Sequence, residues 1–191
     1  GDKILEINGV SAKGKTTEEV SKILKGQPNT SVTILVDRPN LAIPLEVSFE
    51  REKVSVPSVP YSSYIEGGIG YIRLSRFTRN CAKDLENSII ALKEEDTLKG
   101  LILDLRGNPG GLLNESVNIV NLFVEKGEEI VSTKGKIKSW DKSYVANKTP
   151  LDTELPLIVL ISSSSASASE IVSGSIQDLD RGVVIGQRSY G

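Results

Sequence analysis

A chain of 191 residues, 38% apolar and 25% charged, has the material for one or two domains with a sizeable core. Its formal charge of -2 leaves no basic footprint for nucleic acid, and no apolar run nears the roughly 20 residues that cross a bilayer. With no histidine and a single cysteine, Cys81, it can build no Ser-His-Asp triad, no His-ligated zinc site and no internal disulfide. Any serine nucleophile here needs another base, and lysine is the usual substitute.

Read from the first residue, the segment to about Arg38 predicts strand, helix, strand. Ile4-Leu-Glu-Ile7 is short and apolar, and Asn8-Gly9 signals a turn. Thr16-Thr-Glu-Glu19 has the form of a capping box. Val20, Ile23 and Leu24 then give one apolar helical face, and Lys25-Gly26 supplies a glycine to close the helix. Ser31-Val-Thr-Ile-Leu-Val36 alternates as a strand. This order resembles the second half of a PDZ domain, which implies a peptide groove lined by Val20, Ile23 and Leu24. A small α/β subdomain without a groove accounts for the same pattern. The glycine-rich loop that holds a peptide carboxylate is expected upstream of Gly1, and the chain reads as an internal piece of a longer protein. Residues 39–66 read as a connector with strand pieces, among them Leu45-Glu-Val-Ser-Phe49.

From residue 67 the pattern becomes β/α. Ile69 to Leu74 predicts a strand, and a helix follows over 78–94 with Leu85, Ile89 and Leu92 at helical spacing. Cys81 falls on that helix as a packing residue. Gly100 to Leu105 predicts a buried strand. A helix over 113–124 has Asn114 as a candidate cap and Val117, Val120 and Val124 inward. Glu129 to Thr133 predicts a strand, residues 134–153 a polar surface excursion, and Leu157 to Ile161 a strand. A serine-rich turn, a helix carrying Ile171, Val172, Ile176 and Leu179, and a last strand Val183 to Gly186 complete the series. Strands alternating with helices predict an α/β core with parallel crossovers.

Two strand-to-helix turns carry chemistry. Asp104-Leu-Arg-Gly-Asn-Pro-Gly-Gly-Leu112 is glycine-rich and exposes backbone N–H groups to an anion. It lacks the pattern of a P-loop or a dinucleotide fingerprint. It reads as an oxyanion loop or as a tight βα connection. Ser162-Ser-Ser-Ser-Ala-Ser-Ala-Ser-Glu-Ile171 places a serine among small residues at a turn, as an exposed nucleophile requires, although a serine-rich N-cap fits the same residues.

Together, Gly70-Tyr-Ile-Arg-Leu74, Leu103-Asp-Leu-Arg-Gly-Asn-Pro-Gly-Gly-Leu112 and Ser165-Ala-Ser-Ala-Ser-Glu-Ile171 resemble the C-terminal processing (tail-specific) serine proteases. The resemblance implies an α/β fold, a β/α catalytic core of the ClpP/crotonase-like type over 67–191, preceded by a partial PDZ domain over 1–38. It implies Ser167 as nucleophile, Gly110, Gly111 and Ala168 as oxyanion donors, and Glu170 and Asp178 in supporting positions, with Ser165 and Ser169 structural. It implies a serine–lysine dyad, no metal and no cofactor. It implies protein or peptide substrates with free C-termini and an extracytoplasmic location. The family's lysine follows an aromatic-Gly pair. Tyr190-Gly191 matches that pair, so the lysine is expected immediately beyond Gly191 and this fragment alone is expected to be inert. The competing expectations are a ligand-binding protein on the same scaffold and a PDZ-type scaffold protein.

Overall fold

The computed structural model describes residues 1–53 and 56–191 and divides into two compact units, Gly1–Ser55 and Val56–Gly191. The first unit holds β1 (Lys3–Ile7), β2 (Val10–Ser11), α1 (Thr17–Leu24), β3 (Ser31–Asp37) and β4 (Leu45–Glu50). Its four strands form an antiparallel sheet in the order β2-β1-β3-β4. Ile7, Val32 and Val36 are its buried residues, as the alternation along β1 and β3 requires. The capping box forms: Thr16 N–H donates to Glu19 Oε2 at 2.7 Å, and Glu19 N–H donates to Thr16 Oγ1 at 3.3 Å. Gly26 does not close α1 in a left-handed turn, because it lacks a positive φ. Arg51 serves the helix end instead, donating to Leu24 O at 2.8 Å and Ile23 O at 3.3 Å. A cationic fork satisfies carbonyls that a glycine turn would otherwise satisfy. Val20, Ile23 and Leu24 share one face of α1 and are all half-buried.

The second unit holds β5 (Tyr61–Ile65), β6 (Ile69–Arg73), α2 (Cys81–Glu95), β7 (Gly100–Asp104), α3 (Leu113–Val120), β8 (Glu129–Thr133), β9 (Lys142–Val145), β10 (Leu157–Ile161), α4 (Ala168–Asp178) and β11 (Val183–Gly186). Residues 39–66, expected as a connector, thus contribute β4 to one sheet and β5 to another. The main sheet runs β11-β10-β7-β6-β5. Four strands are parallel, and β5 is antiparallel at the edge. Ile72, Leu101, Leu103 and Val159 from the sheet pack with Leu85 and Ile89 of α2, Ile119 of α3 and Val172 and Ile176 of α4, all at most 1% exposed. Central parallel strands covered on their faces read as continuous apolar runs, which is how β7 and β10 appear in the sequence.

The boundaries of α3 depart from expectation. Its N-cap is Leu112, which makes no side-chain cap bond, and Asn114 lies inside the helix. The helix ends at Val120 because Leu122 N–H and Phe123 N–H turn back to Ile119 O and Val120 O, three residues away, and the chain tightens. Phe123 and Val124 are nevertheless buried.

Candidate active site

In an open parallel sheet the loops beyond the strands' carboxyl ends form the usual crevice for ligands. Here β7 and β10 are register-paired, with Leu160 opposite Asp104, so the glycine loop and the serine loop leave the sheet side by side. Four hydrogen bonds tie them together. Ser165 Oγ donates to Leu105 O at 2.8 Å, Ser169 Oγ to Asn108 O at 2.9 Å, Ala166 N–H to Asn108 O at 3.1 Å, and Gly107 N–H to Ser162 Oγ at 3.1 Å. Ser165 and Ser169 are fully buried in these roles, whereas Ser167 between them is exposed.

Ser167 has φ 55° and ψ -113°. This is the first central position of a type II′ turn, a place that favours glycine. Ser169 N–H closes the turn on Ala166 O at 3.1 Å. A non-glycine residue held at positive φ stores strain, and such strain concentrates at functional sites. Ser167 and Glu170 have the form of a capping box. The bond that closes is Ser167 N–H to Glu170 Oε2 at 2.6 Å, and the serine hydroxyl makes no cap bond to α4. The Glu170 carboxylate also accepts from Ser189 Oγ at 2.9 Å and from Gly191 N–H at 2.8 Å. Burial works to raise its pKa. The bonds from Gly191, Ser189 and Ser167 outweigh burial and hold it below the ordinary glutamate value. Glu170 therefore joins the serine turn to residues 189–191 by hydrogen bonds. Tyr190 N–H adds a bond to Ser165 O at 3.0 Å.

The glycine loop meets the serine turn at Gly110. A Cβ built there would lie 2.5 Å from Ala166 O, 2.9 Å from Ala168 N and 2.9 Å from Ser167 Cβ, and its φ is 95°. Only glycine fits. The Gly110 N–H, expected as an oxyanion donor, is already committed to Asn108 Oδ1 at 2.9 Å. Gly111 is different. Phe77 bonds to Gly110 O and receives Leu112 N–H, forming a bridge opposite Gly111. In that pairing the N–H of Gly111 itself points away from Phe77. Among the described residues neither Gly111 N–H nor Ala168 N–H has a protein acceptor. Ala168 is the first residue of α4, where an N–H has no partner within the helix.

Two further clusters support the loop. Asn108 is fully buried, and its Nδ2 donates to Leu74 O at 2.8 Å while its Oδ1 holds Gly110. Asp104, 2% exposed, accepts from Arg106 Nε at 2.9 Å, Arg106 NH2 at 2.7 Å, Arg106 N–H at 2.9 Å and the Tyr71 hydroxyl. Burial pushes its pKa up, but the Arg106 guanidinium and the Tyr71 hydroxyl win and leave it below the ordinary aspartate value. Tyr71 is shifted up, first by burial and then by Asp104. The Asp104-Leu-Arg spacing was the available signal for this cluster.

Asp178 is not brought to the site. It is the exposed last residue of α4. Ten helical steps from Ala168 place it about 15 Å along the axis from the serine turn. Cys81 is buried, and burial pushes its thiol up to about 12, as befits a packing residue.

The deciding observation is that a family model described as peptidase family S41 matches residues 68–191, which include both loops. This chain belongs to peptidase family S41. A PDZ domain model matches residues 1–38. The S41 chain is 40% identical over its whole length to a carboxy-terminal-processing protease of Bartonella bacilliformis and covers 44% of it. It is 35% identical over its whole length to a probable CtpA-like serine protease of Staphylococcus aureus and covers 37% of that protein. The chain thus spans less than half the length of these relatives. Among solved structures, the photosystem II D1 C-terminal processing protease superposes with a TM-score of 0.63 at 27% identity, over 100% of this chain and 52% of that one. The S41 core and the mixed α/β architecture expected from the three motifs are both present.

Proposed function

We propose that the protein containing this chain is a serine endopeptidase that cleaves protein substrates recognised through their C-terminal tails. Ser167 attacks the scissile carbonyl. The N–H groups of Gly111 and Ala168 receive the oxyanion, and Gly110 provides the close approach that brings the two loops together. Losing one such donor typically costs about 2.7–4 kcal/mol in the barrier. The base is a lysine at the position following Tyr190-Gly191. Glu170 and Ser165 hold residues 189–191 against the serine turn, which supports a base supplied from the position that follows. A free lysine has a pKa near 10.4, so the site must bury it to hold it neutral. Its proton acceptance from Ser167 Oγ, acylation with release of the C-terminal product, and hydrolysis of the ester by water complete the cycle.

The observation that carries this reading is the strained, exposed Ser167 between two fully buried serines at the start of α4. In the same proposal, 1–38 is the later part of a PDZ domain whose α1 face, Val20, Ile23 and Leu24, lines a groove for a free C-terminus. The work is extracytoplasmic. Among the described residues no helix is long and apolar enough to cross a membrane. The test uses the longer protein. Ser167→Ala is expected to abolish peptide cleavage with an unchanged unfolding midpoint, and replacing the residue after Gly191 is expected to do the same. Turnover retained in Ser167→Ala and lost in Ser165→Ala would contradict the assignment. Amidating a peptide's C-terminus is expected to weaken its binding, and equal affinity for acid and amide would remove tail recognition.

A further inference from the structure

The excursion between β8 and β10 is a two-stranded ribbon. Thr133 pairs with Lys142, and the tip between them contains a short 3-10 turn, Lys138–Trp140. Every residue from 132 to 140 is exposed, including Ile137 at 49% and Trp140 at 72%. Residues 132–142 carry Lys134, Lys136, Lys138 and Lys142 against one acid, Asp141. The tip is therefore net +3 on a chain of net -2. Asp141 is largely committed within the tip. It accepts from Gly135 N–H at 2.9 Å, with Lys138 Nζ 3.9 Å away. Among the described residues Lys134, Lys136 and Lys142 have no ion-pair partner. The Asp141 bond to Gly135 draws the tip into a fixed loop, so the exposed side chains are presented by folded backbone.

We propose that this tip is a docking point for an anionic lipid surface. A tryptophan and an isoleucine exposed on one loop tip lose apolar contact with water when they enter the headgroup region. Lysines ringing them place ammonium groups at the lipid phosphates while their stems lie along apolar surface. An acidic peptide would satisfy the charge. It would find only a wide-open hollow lined by Lys134, Lys136, Ile137 and Trp140, which leaves Ile137 and Trp140 49% and 72% exposed, so the membrane is the better fit. The inference is independent of the chemistry assigned to Ser167.

Trp140 is the single tryptophan of the chain, so its emission reports on this tip alone. The experiment titrates the whole chain with phosphatidylglycerol vesicles, with phosphatidylcholine vesicles and with a polyglutamate peptide. Co-sedimentation and tryptophan emission are both read, at low and high salt. Expected are a blue shift and co-sedimentation with phosphatidylglycerol only, weakened by salt. Lys134→Gln with Lys136→Gln is expected to lower vesicle partitioning by about 25-fold, because each lysine near an anionic surface is worth about fivefold. That variant should keep the parent unfolding midpoint, and Ser167→Ala should partition like the parent. Binding to vesicles without a Trp140 shift, partitioning indifferent to the two lysines, no binding at all, or a shift with polyglutamate alone would each overturn the proposal. The last result would assign the tip to acidic peptides.

Discussion

Replacing Gly110 with alanine separates two costs that usually occur together. Gly107 and Gly110 sit in the same loop, both at positive φ, 73° and 95°. A Cβ on Gly107 meets nothing within 4 Å, whereas one on Gly110 runs into Ala166 O at 2.5 Å and Ala168 N at 2.9 Å. Left-handed backbone costs an alanine about 1–2 kcal/mol, and loss of unfolded-state freedom returns about 0.4–1 kcal/mol. Gly107→Ala should therefore lie within about 1 kcal/mol of the parent. Gly110→Ala carries the same terms plus overpacking against backbone that cannot swing aside, typically about 1–3 kcal/mol more. A total of about 1–5 kcal/mol follows. Urea unfolding, monitored by the midpoint at constant slope, measures both variants. In the longer protein Gly110→Ala should also lose peptide turnover, because relief of the clash moves the Ser167 turn away from the Gly111 donor. Equal destabilisation by the two alanines, or full turnover in Gly110→Ala, would refute the close approach as the reason for this glycine.

Three other outcomes follow from the same site. Asn108→Ala strands the buried Gly110 N–H and Leu74 C=O, at about 1–3 kcal/mol for each group, and should lower stability by about 2–5 kcal/mol in urea unfolding. Ser167→Gly relieves positive-φ strain and should raise the unfolding free energy by about 1 kcal/mol while removing any cleavage by the longer protein; a destabilised Ser167→Gly would contradict the strain. Asp104 is held below its ordinary value of 3.8, so its bonds to Arg106 and Tyr71 stabilise the fold above that pH and are lost as pH falls through the depressed value. Stability should drop on acidification below about pH 4, and Asp104→Asn should flatten that part of the curve measured by denaturant titration at each pH.

What was legible in the sequence follows from local physics. The apolar runs of β7 and β10 mark buried parallel strands, and Thr16 with Glu19 marks the start of α1. The serine turn was legible because small residues let the backbone turn sharply between an apolar strand and a helical pattern. Features that depend on distant partners were not legible. The closure of α1 by Arg51 joins residues 27 apart. Glu170 meets Gly191 across 21 residues, and no spacing rule reports that. Asp178 was named from the family resemblance alone, and its place at the far end of α4 sets it away from Ser167. The Lys134 stretch was legible only as polar surface. Its pairing into a ribbon that displays Trp140 and four lysines together is a tertiary fact.

The measurement that bears most directly on the account is the identity of the acylated residue. The longer protein, extended through the position after Gly191, is incubated with an activated peptide ester, quenched in acid, digested and mapped by mass spectrometry. The account predicts one acyl group, on Ser167, absent from Ser167→Ala and from the protein lacking a lysine after Gly191. Acylation of Ser163, Ser164 or Ser165 in its place, or peptide cleavage with no dependence on Ser167, would contradict it.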